Sequence, residues 1–287
     1  MAERRTMHPD FSVPDNIELR SVEQVFTGEH NQCFRCGGSI DGNPGSFFLK
    51  VYHKPEINLP IERDILPRLA GFGIPVPKVL FEQDGEVSCL GLTSITGDIL
   101  QDFIDPRRPG YRSAEVLEHL EKYGEILARI HSLPMETTPL TRRGLYALSV
   151  AERSHFSDQP DLLGWLDRNA PTEADEVFAH GDLHTAHVFF EHGEVSGVID
   201  WESAGMGWRE FDLAWILRSR QAFLNSPEER EAILKGYSRH GTWDNAALNW
   251  CEVLVYLHYA FWMRESDCGY EAFALERAGA ICAIPRT

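Results

Sequence analysis

The chain has 287 residues, 43% of them hydrophobic and 11% aromatic, which is enough for one large domain or two moderate domains with a true core. Its 44 acidic and 27 basic side chains give a formal net charge of -17. This charge disfavours nucleic acid and anionic membrane surfaces as partners, and it suits a cationic small substrate. Six cysteines with a single close pair, Cys33 and Cys36, indicate neither a disulfide framework nor a four-ligand zinc site.

No segment of the sequence is typical of targeting or membrane insertion. The start, MAERRTMHPDFSV, contains no apolar run of signal-peptide length. The most apolar stretch, CEVLVYLHYAFWM, is too short and too polar to span a bilayer. We therefore expect a cytoplasmic protein that acts without a membrane or a nucleic acid, as a monomer or a homodimer.

The first 95 residues are predicted to form a small strand-rich lobe. Apolar segments between Val22 and Val51 are separated by the loop TGEHNQ and the turn cluster DGNPG, which is typical of three successive antiparallel strands. The segment after Asn58 has apolar residues at helical spacing and ends at Gly71, and Pro67 favours a kink or an early end. Two more strands are predicted around the turn QDG, so this lobe has five antiparallel strands and one helix.

Residues 96–287 are predicted to form a larger and mainly helical lobe. The segment SAEVLEHLEKYGEILARIHSL is apolar at helical spacing along its length. Only HVFFE and VSGVID interrupt the helical pattern, as a short hairpin around the turn HGE. The sequence therefore predicts a two-lobed α+β fold, with residues 1–95 and 96–287 as its two domains.

The segment AHGDLHTAHVFFEHGEVSGVIDWE, residues 179–202, carries a chemical pattern. Asp182 precedes His187 by five residues, and Asp200 follows the predicted hairpin. Phosphoryl transfer needs a free carboxylate beside a carboxylate-bound divalent cation, because the metal neutralises phosphate charge while the other carboxylate accepts the hydroxyl proton. Mg²⁺ suits this arrangement, since it binds a few protein oxygens together with nucleotide phosphates.

Phosphoryl transfer from a nucleotide also needs a cation on the phosphates. Lys50 lies inside the predicted strand FFLKVY, where a lysine is unusual, and Glu62 follows in the predicted helix. An ion pair between them would aim the ammonium at the α- and β-phosphates. Taken alone, these two residues are equally consistent with ordinary surface charges.

These segments together resemble the aminoglycoside phosphotransferase and choline kinase-like family, relatives of the protein kinases that act on small molecules. HGDLHTAH is similar to the family's catalytic loop, VIDWESAGMGWREFDLA to its metal-binding strand and the next helix, and GEHNQCFR to its nucleotide loop. The resemblance spans about Val22 to Leu217. It implies a protein-kinase-like fold, ATP or GTP as phosphate donor, and Mg²⁺.

The resemblance implies a role for each matching residue of the reaction centre. Asp182 is the implied catalytic base, and Asp200 is the implied Mg²⁺ ligand. Lys50, held by Glu62, is the implied contact to the α- and β-phosphates.

Further residues follow from the same resemblance. The remaining nucleotide-binding residues that it implies are Gly28, Asn31, Thr93 and Ile95. The last two would meet the purine edge through their backbone. His180 is expected to tie the catalytic loop to the metal strand, and the carboxylate of Asp212 is expected to bond the loop backbone.

His187 departs from the family pattern, because the family has asparagine there as the second metal ligand. Imidazole suits Mg²⁺ less well than an amide oxygen does. Similar loops with histidine in place of asparagine occur in the macrolide phosphotransferase branch, which is active and favours GTP. We therefore expect His187 to bind metal, and the alternatives are a site that depends on one metal ion or an inactive nucleotide-binding scaffold.

The predicted function is transfer of the γ-phosphate of ATP or GTP to a hydroxyl of a small molecule. An aminoglycoside or macrolide antibiotic is the first expectation for the acceptor, and an amino alcohol or sugar is the alternative. A catalytically weak pseudokinase is a rival of another class. A zinc hydrolase with His180, His184 and His187 as ligands is a further rival, but it leaves Lys50 and Asp200 unexplained.

Two groups of residues in the helical lobe are candidates for acceptor contacts. Carboxylates that could hold ammonium groups are Glu265, Asp267, Glu271 and Glu276. Aromatic residues that could line an apolar pocket are Trp208, Trp215, Trp243, Trp250, Phe261 and Trp262. A solvated helix face and a packed core are the respective alternatives.

Overall fold

A computed structural model describes residues 13–25, 31–84, 87–108, 111, 113–135, 146–218, 224–266 and 269–284. The chain divides into two compact units, one of residues 1–96 with 196–203 and the other of residues 97–195 with 204–287. The first unit thus includes a short segment from the middle of the chain, which the sequence does not predict. Within the described ranges, no helix is long and apolar enough to cross a lipid bilayer.

The first unit is built on a five-stranded antiparallel sheet with the strand order β1-β2-β3-β5-β4. Its elements are β1 (Ile17–Val25), β2 (Asn31–Ile40), β3 (Asn43–Tyr52), helix α1 (Pro55–Gly71), β4 (Val79–Gln83) and β5 (Cys89–Thr93). Asp41 and Gly42 connect β2 to β3 with φ angles of 51° and 76°, the left-handed backbone that a two-residue hairpin turn requires. The prediction of five antiparallel strands and one helix is confirmed.

The helix α1 differs from its predicted start. It begins at Pro55 rather than after Asn58, because proline fits the first turn of a helix, where its missing N–H is not needed. Pro67 does not end the helix, which continues to Gly71. Packing of the apolar face, which includes the fully buried Leu69, maintains the helix through that position.

Strand β3 contributes to two different environments. Phe47 and Leu49 are fully buried in an apolar cluster of the sheet. Because successive residues of a strand point to opposite faces, Lys50 and Tyr52 lie on the other face, where both donate hydrogen bonds to Glu62 of α1. The alternation of the strand therefore places a lysine beside a helix carboxylate.

The second unit contains most of the helices. Its elements are β6 (Asp98–Ile99), α2 (Leu100–Ile104), α3 (Ser113–His131), α4 (Val150–His155), α5 (Pro160–Asn169), β7 (Glu176–Ala179), β8 (Val188–Glu191), the start of β9 (Glu194–Val198), β10 (Gly205–Trp208), α6 (Arg209–Leu217), α7 (Pro227–Tyr237), α8 (Asn245–Met263) and α9 (Tyr270–Cys282). The predicted long helix and hairpin correspond to α3 and to β8 with β9. A 3₁₀ turn, Trp201–Ser203, follows β9 in the first unit.

The expectation that only HVFFE and VSGVID interrupt the helices is wrong. Strands β7 and β10 form a further antiparallel pair in which Gly205 lies opposite Ala179. Strand β6 pairs with β8. These added strands have two to four residues each, and their partners are distant in sequence, so no periodic pattern reveals them. The pairing of β7 with β10 matters for the site, since β7 leads into the loop 180–187 and β10 leads into α6.

Candidate active site

Four charged side chains meet in the first unit and are called here the lysine–carboxylate cluster: Lys50, Glu62, Asp200 and Glu202. The ammonium of Lys50 lies 2.7 Å from Glu62 Oε2, 2.5 Å from Asp200 Oδ1 and 3.0 Å from Glu202 Oε2. The predicted ion pair between Lys50 and Glu62 is therefore present, and the surface-charge alternative is wrong for these buried residues.

Glu62 connects the cluster to three parts of the unit. Its Oε2 atom accepts hydrogen bonds from Lys50 at 2.7 Å and from the Tyr52 hydroxyl at 2.6 Å. Its Oε1 atom accepts the backbone N–H of Trp201 at 3.2 Å. The Trp201 indole in turn donates to the carbonyl of Val198 at 3.0 Å. One helix carboxylate thus positions both the strand lysine and the segment that carries Asp200.

The backbone of Asp200 has an unusual conformation. Its φ angle of 67° lies in the left-handed region, which aspartate tolerates better than most residues. Such conformations persist where the surrounding structure holds them, and they concentrate at functional sites. The Asp200 side chain is 32% exposed, so its carboxylate is accessible while Lys50 beside it is buried.

The charges of the cluster do not balance. Three carboxylates surround one ammonium, so the formal sum is negative by two when all are ionised. Burial alone would lower the pKa of Lys50, but the surrounding carboxylates outweigh it and hold that pKa well above its usual value. Burial raises the pKa of Glu202 despite the opposing charge of Lys50. A divalent cation would neutralise this excess.

Glu202 is the member of the cluster that the sequence analysis missed. It accepts a hydrogen bond from the side-chain amide of Asn31, whose carbonyl oxygen accepts the His53 N–H at 3.1 Å. Oxygen ligand atoms of Glu62, Asp200 and Glu202 lie within 4.8 Å of one another. The signal in the sequence was the spacing of Asp200 and Glu202 in DWE, two carboxylates on either side of one tryptophan.

The other predicted nucleotide-binding residues have different outcomes. Gly28 lies outside the described residues. Thr93 ends β5, and its backbone N–H donates to the carbonyl of Lys78 at 2.9 Å, so that amide is already bonded. Ile95 lies close to Gly197, where an added Cβ would be 2.3 Å from Ile95 Cγ2. The purine contacts of Thr93 and Ile95 remain predictions.

In the second unit, Asp212 of α6 holds the first residues of the loop 180–187. Its Oδ2 atom accepts the backbone N–H of His180 at 2.9 Å, and its Oδ1 atom accepts that of Gly181 at 3.0 Å. His131 Nε2 lies 3.3 Å from Oδ2, and His131 Nδ1 lies 2.7 Å from the Tyr237 hydroxyl. The prediction that Asp212 bonds the loop backbone is confirmed.

Asp182 is held on its backbone and on its side chain. Its N–H donates to His180 Nδ1 at 3.2 Å, and His187 Nδ1 lies 2.9 Å from its carbonyl oxygen. The indole N–H of Trp215 donates to the carboxylate oxygen Oδ1 at 3.0 Å. Gly181, next to Asp182, has a φ angle of 90°, so the loop turns there and is not helical.

The histidines of this loop do not form the set that a zinc hydrolase was predicted to need. Within the loop 180–187, the group with metal-ligand spacing is Asp182, His184 and His187, whose ligand atoms lie within 4.8 Å of one another. His180 is fully buried and uses Nδ1 to accept the Asp182 N–H. Its predicted tie to the metal strand remains a prediction.

Two of the four predicted acceptor carboxylates make local ion pairs. Among the carboxylates, Glu271 pairs with His155 at 3.0 Å and Glu265 pairs with Arg264 at 3.3 Å, while Asp267 lies outside the described residues. These contacts favour the alternative of a solvated helix face.

The aromatic residues also pack among themselves. Trp208 stacks on Tyr146 with ring centroids 4.2 Å apart and lies 5.9 Å from Trp250. The Trp243 indole donates to Asn245 Oδ1 at 2.9 Å. The core-packing alternative is favoured for Trp208 and Trp250, whereas Trp262 is 43% exposed. Trp215 is the member of the group that bonds Asp182.

Comparisons with known proteins agree on one family. Residues 25–248 match the model of the phosphotransferase enzyme family. An aminoglycoside 3'-phosphotransferase of Streptomyces fradiae is 30% identical over 205 residues, which cover 62% of this chain and 72% of that protein. A homoserine kinase of Pseudomonas aeruginosa is 26% identical over 292 residues, which cover 95% of this chain and 88% of that protein.

Solved structures share the fold. An aminoglycoside 3'-phosphotransferase of type VIII superposes with a TM-score of 0.61 at 24% identity, over 84% of this chain and 94% of that one. A macrolide 2'-phosphotransferase from Brachybacterium faecium gives 0.63 at 17% identity, over 94% and 96%. The predicted protein-kinase-like α+β fold is confirmed. The chain therefore belongs to the phosphotransferase enzyme family and is a small-molecule kinase.

Proposed function

We propose that the protein transfers the γ-phosphate of ATP or GTP to a hydroxyl group of an aminoglycoside. The observation that carries the nucleotide-dependent reaction is the lysine–carboxylate cluster, in which a buried ammonium is held 2.7 Å from a helix carboxylate and 2.5 Å from the aspartate that follows β9. Lysine and aspartate in these positions match the parts that kinases use on nucleotide phosphates and metal.

The nucleotide roles follow from the contacts within the first unit. Lys50 would bind the α- and β-phosphates, and Glu62 would keep its ammonium in place through the contact of 2.7 Å. Asn31, held through Glu202 and His53, would present the nucleotide loop. Gly28 in that loop and the backbone of Thr93 and Ile95 complete the proposed nucleotide site. A related aminoglycoside phosphotransferase crystallised with ADP and hygromycin B supports nucleotide as the donor.

The cluster also fits Mg²⁺, since its carboxylates exceed its one cation and offer the hard oxygen ligands that this ion prefers. Asp200 and Glu202 would hold the ion, because both carboxylate oxygens of Glu62 already accept hydrogen bonds, Oε2 from Lys50 and Tyr52 and Oε1 from the backbone N–H of Trp201. Within the second unit, His187 remains a proposed metal ligand through Nε2, because its Nδ1 contacts the Asp182 carbonyl. When bound, Mg²⁺ supplies neutralisation of the phosphate charge.

Asp182 would act on the acceptor. The acceptor hydroxyl oxygen forms a bond to the γ-phosphorus, the bond from that phosphorus to the β,γ-bridging oxygen breaks, and the nucleoside diphosphate leaves. The hydroxyl proton passes to the Asp182 carboxylate. The bonds from the loop residues and from Trp215 hold this carboxylate in one orientation.

An aminoglycoside is the first choice of acceptor because the relative at 30% identity is an aminoglycoside 3'-phosphotransferase, and because the net charge of -17 attracts a polycation. Homoserine is the second candidate. The homoserine kinase match covers 95% of this chain, more than the aminoglycoside match does. Homoserine carries an amino group and a primary hydroxyl, so it falls within the amino alcohol alternative.

A single acceptor screen separates the candidates. The protein is incubated with Mg²⁺ and either ATP or GTP, and phosphorylated products are measured by mass spectrometry for aminoglycosides, macrolides, homoserine and other amino alcohols. We expect phosphorylation of an aminoglycoside that is absent in the Asp182→Asn variant. Phosphorylation of homoserine alone would identify homoserine, and not an aminoglycoside, as the acceptor. Nucleotide binding without any product would support the pseudokinase alternative.

A further inference from the structure

Trp215 bonds the carboxylate that the proposed reaction uses. Its indole N–H donates to Asp182 Oδ1 at 3.0 Å, although 33 residues separate the two in sequence. Trp215 lies in α6, one turn after Asp212, which holds the loop backbone. One helix therefore contacts both the backbone and the reactive side chain of the loop.

The indole is itself held by a charged partner. Trp215 is only 6% exposed, and the guanidinium carbon of Arg218 lies 4.2 Å from the centroid of its ring. The same guanidinium lies 3.8 Å from the centroid of the Tyr259 ring on α8. Arg218 is therefore stacked against two aromatic rings and, at 3% exposure, is shielded from water.

This stacking affects the hydrogen bond to Asp182. A cation over an aromatic face draws electron density from the ring, and the attraction is strongest when water is excluded. An indole N–H on a polarised ring is a better donor, and a hydrogen bond to an ionised carboxylate is stronger than one between neutral groups. Arg218 would thus strengthen the hydrogen bond from Trp215 to Asp182.

The hydrogen bonds to the Asp182 backbone do not set the orientation of its carboxylate, which the contact of Trp215 helps to define. His180 and His187 contact the N–H and the carbonyl of Asp182, and these contacts fix the main chain. They do not restrict rotation of the side chain about its own bonds. The contact of Trp215 with Oδ1 does restrict it, because it defines where one carboxylate oxygen lies.

We propose that Trp215, stacked against Arg218, is a positioning residue that orients the carboxylate of Asp182 for the acceptor hydroxyl. The catalytic part of this role rests on the proposed function, in which Asp182 accepts the hydroxyl proton. Trp215 touches neither the nucleotide nor the transferred group in this proposal, so it affects turnover and leaves nucleotide binding unchanged.

The bond is tested without any acceptor by labelling the indole nitrogens of the seven tryptophans with ¹⁵N. The resonance that disappears in Trp215→Phe belongs to Trp215, and Trp243→Phe identifies Trp243 in the same way. In the Asp182→Asn variant, which removes the charge of the acceptor group, we expect the Trp215 indole proton to move upfield and that of Trp243 to stay. An unchanged Trp215 resonance would overturn the proposal.

The kinetic test compares two matched variants. Trp215→Phe removes the donor and keeps an aromatic ring for Arg218, and we expect kcat to fall roughly tenfold or more, as misplaced catalytic groups cost, with the nucleotide Kd unchanged. Trp165→Phe makes the same exchange in α5, at a residue with no part in the proposed site, and we expect it to keep the kcat of the unmodified protein. A rise in the nucleotide Kd with unchanged kcat would contradict a positioning role.

Failure of this proposal is distinguishable from failure of the proposed function. If the protein phosphorylates an acceptor and Trp215→Phe turns over at the rate of the unmodified protein, only the role of Trp215 is overturned. If no acceptor is phosphorylated but the indole resonance responds to Asp182→Asn, the function fails while the bond is supported. Should Trp215→Phe fold poorly, the Trp215 resonance is assigned from Trp215→Tyr, which also removes the indole N–H, and its response to Asp182→Asn still decides whether the bond exists.

Discussion

The lysine–carboxylate cluster of the first unit and the loop 180–187 of the second hold their functional groups by different forces. In the cluster, a buried ammonium touches carboxylates of opposite charge at 2.5 to 3.0 Å. In the loop, Asp182 is contacted by imidazole and indole groups, and the loop backbone bonds the carboxylate of Asp212. The first region depends on charge balance, and the second depends on geometry.

This difference matches the tasks proposed for the two regions. Binding a polyphosphate requires a cation, and binding a divalent ion requires carboxylates, and the cluster offers both. Accepting a proton from a hydroxyl requires a carboxylate in a defined place, which directional hydrogen bonds provide. Substitutions in the cluster should therefore affect binding and stability, whereas substitutions of Asp182 and of Asp212, which holds the loop, should affect turnover.

The largest effect is expected from Asp182→Asn. The amide cannot accept the hydroxyl proton, so we expect kcat to fall by about a thousandfold or more, in line with the contribution of a general base and its orientation. The nucleotide Kd, measured by titration calorimetry, should stay close to that of the unmodified protein. The control is Asp167→Asn, which alters an exposed pair with Arg153. Unchanged turnover in Asp182→Asn would refute the assignment of the base.

Lys50→Met tests the charge balance of the cluster. It leaves the surrounding carboxylates without their cation, and removal of one partner from a buried ion pair typically costs about 3 kcal/mol or more of the free energy of unfolding. We also expect loss of nucleotide binding, measured by titration calorimetry, together with the lower stability in urea denaturation.

Two further variants test whether the excess negative charge causes the loss of stability in Lys50→Met. Adding Glu202→Gln to Lys50→Met should recover part of the lost stability, because it removes one of the repelling carboxylates. Lys235→Met breaks an exposed pair with Glu121 and should change the free energy of unfolding by less than about 1 kcal/mol. If the double variant is less stable than Lys50→Met alone, the excess negative charge is not what destabilises the cluster.

Asp212→Asn tests whether loosening the loop 180–187 lowers turnover without changing nucleotide binding. Asparagine offers one side-chain oxygen where aspartate bonds two loop amides, so one buried N–H loses its acceptor at a cost of about 1–3 kcal/mol. We expect kcat to fall by about tenfold with an unchanged nucleotide Kd. Asp175→Asn, in an exposed pair with Arg209, serves as the control. A change in nucleotide affinity with unchanged kcat would contradict the assignment of binding to the cluster and of turnover to the loop.

The smallest effect is expected from His187→Asn. An amide oxygen suits Mg²⁺ at least as well as imidazole does, so we expect activity to be retained or raised. The measurement is kcat as a function of Mg²⁺ concentration in both proteins. A complete loss of activity would mean that the imidazole, which contacts the Asp182 carbonyl, has a role in holding the loop that an amide does not fill.

The sequence by itself determined the features that depend on neighbouring residues. The alternation of β3 placed Lys50 on the face opposite Phe47 and Leu49, and the turn at Asp41 followed from its residue types. The helix that carries Glu62 followed from apolar spacing, although its start at Pro55 did not. The motif HGDLHTAH indicated Asp182 through its resemblance to a known family.

Only the tertiary structure decided which distant residues meet. The bond from Trp215 to Asp182 spans 33 residues, and the contact of Glu202 with Asn31 spans 171. Strands β7 and β10 likewise exist because they pair with each other across the chain. Periodic patterns reflect interactions within a few residues, whereas these contacts depend on the path that the folded chain takes between them, which no local pattern encodes.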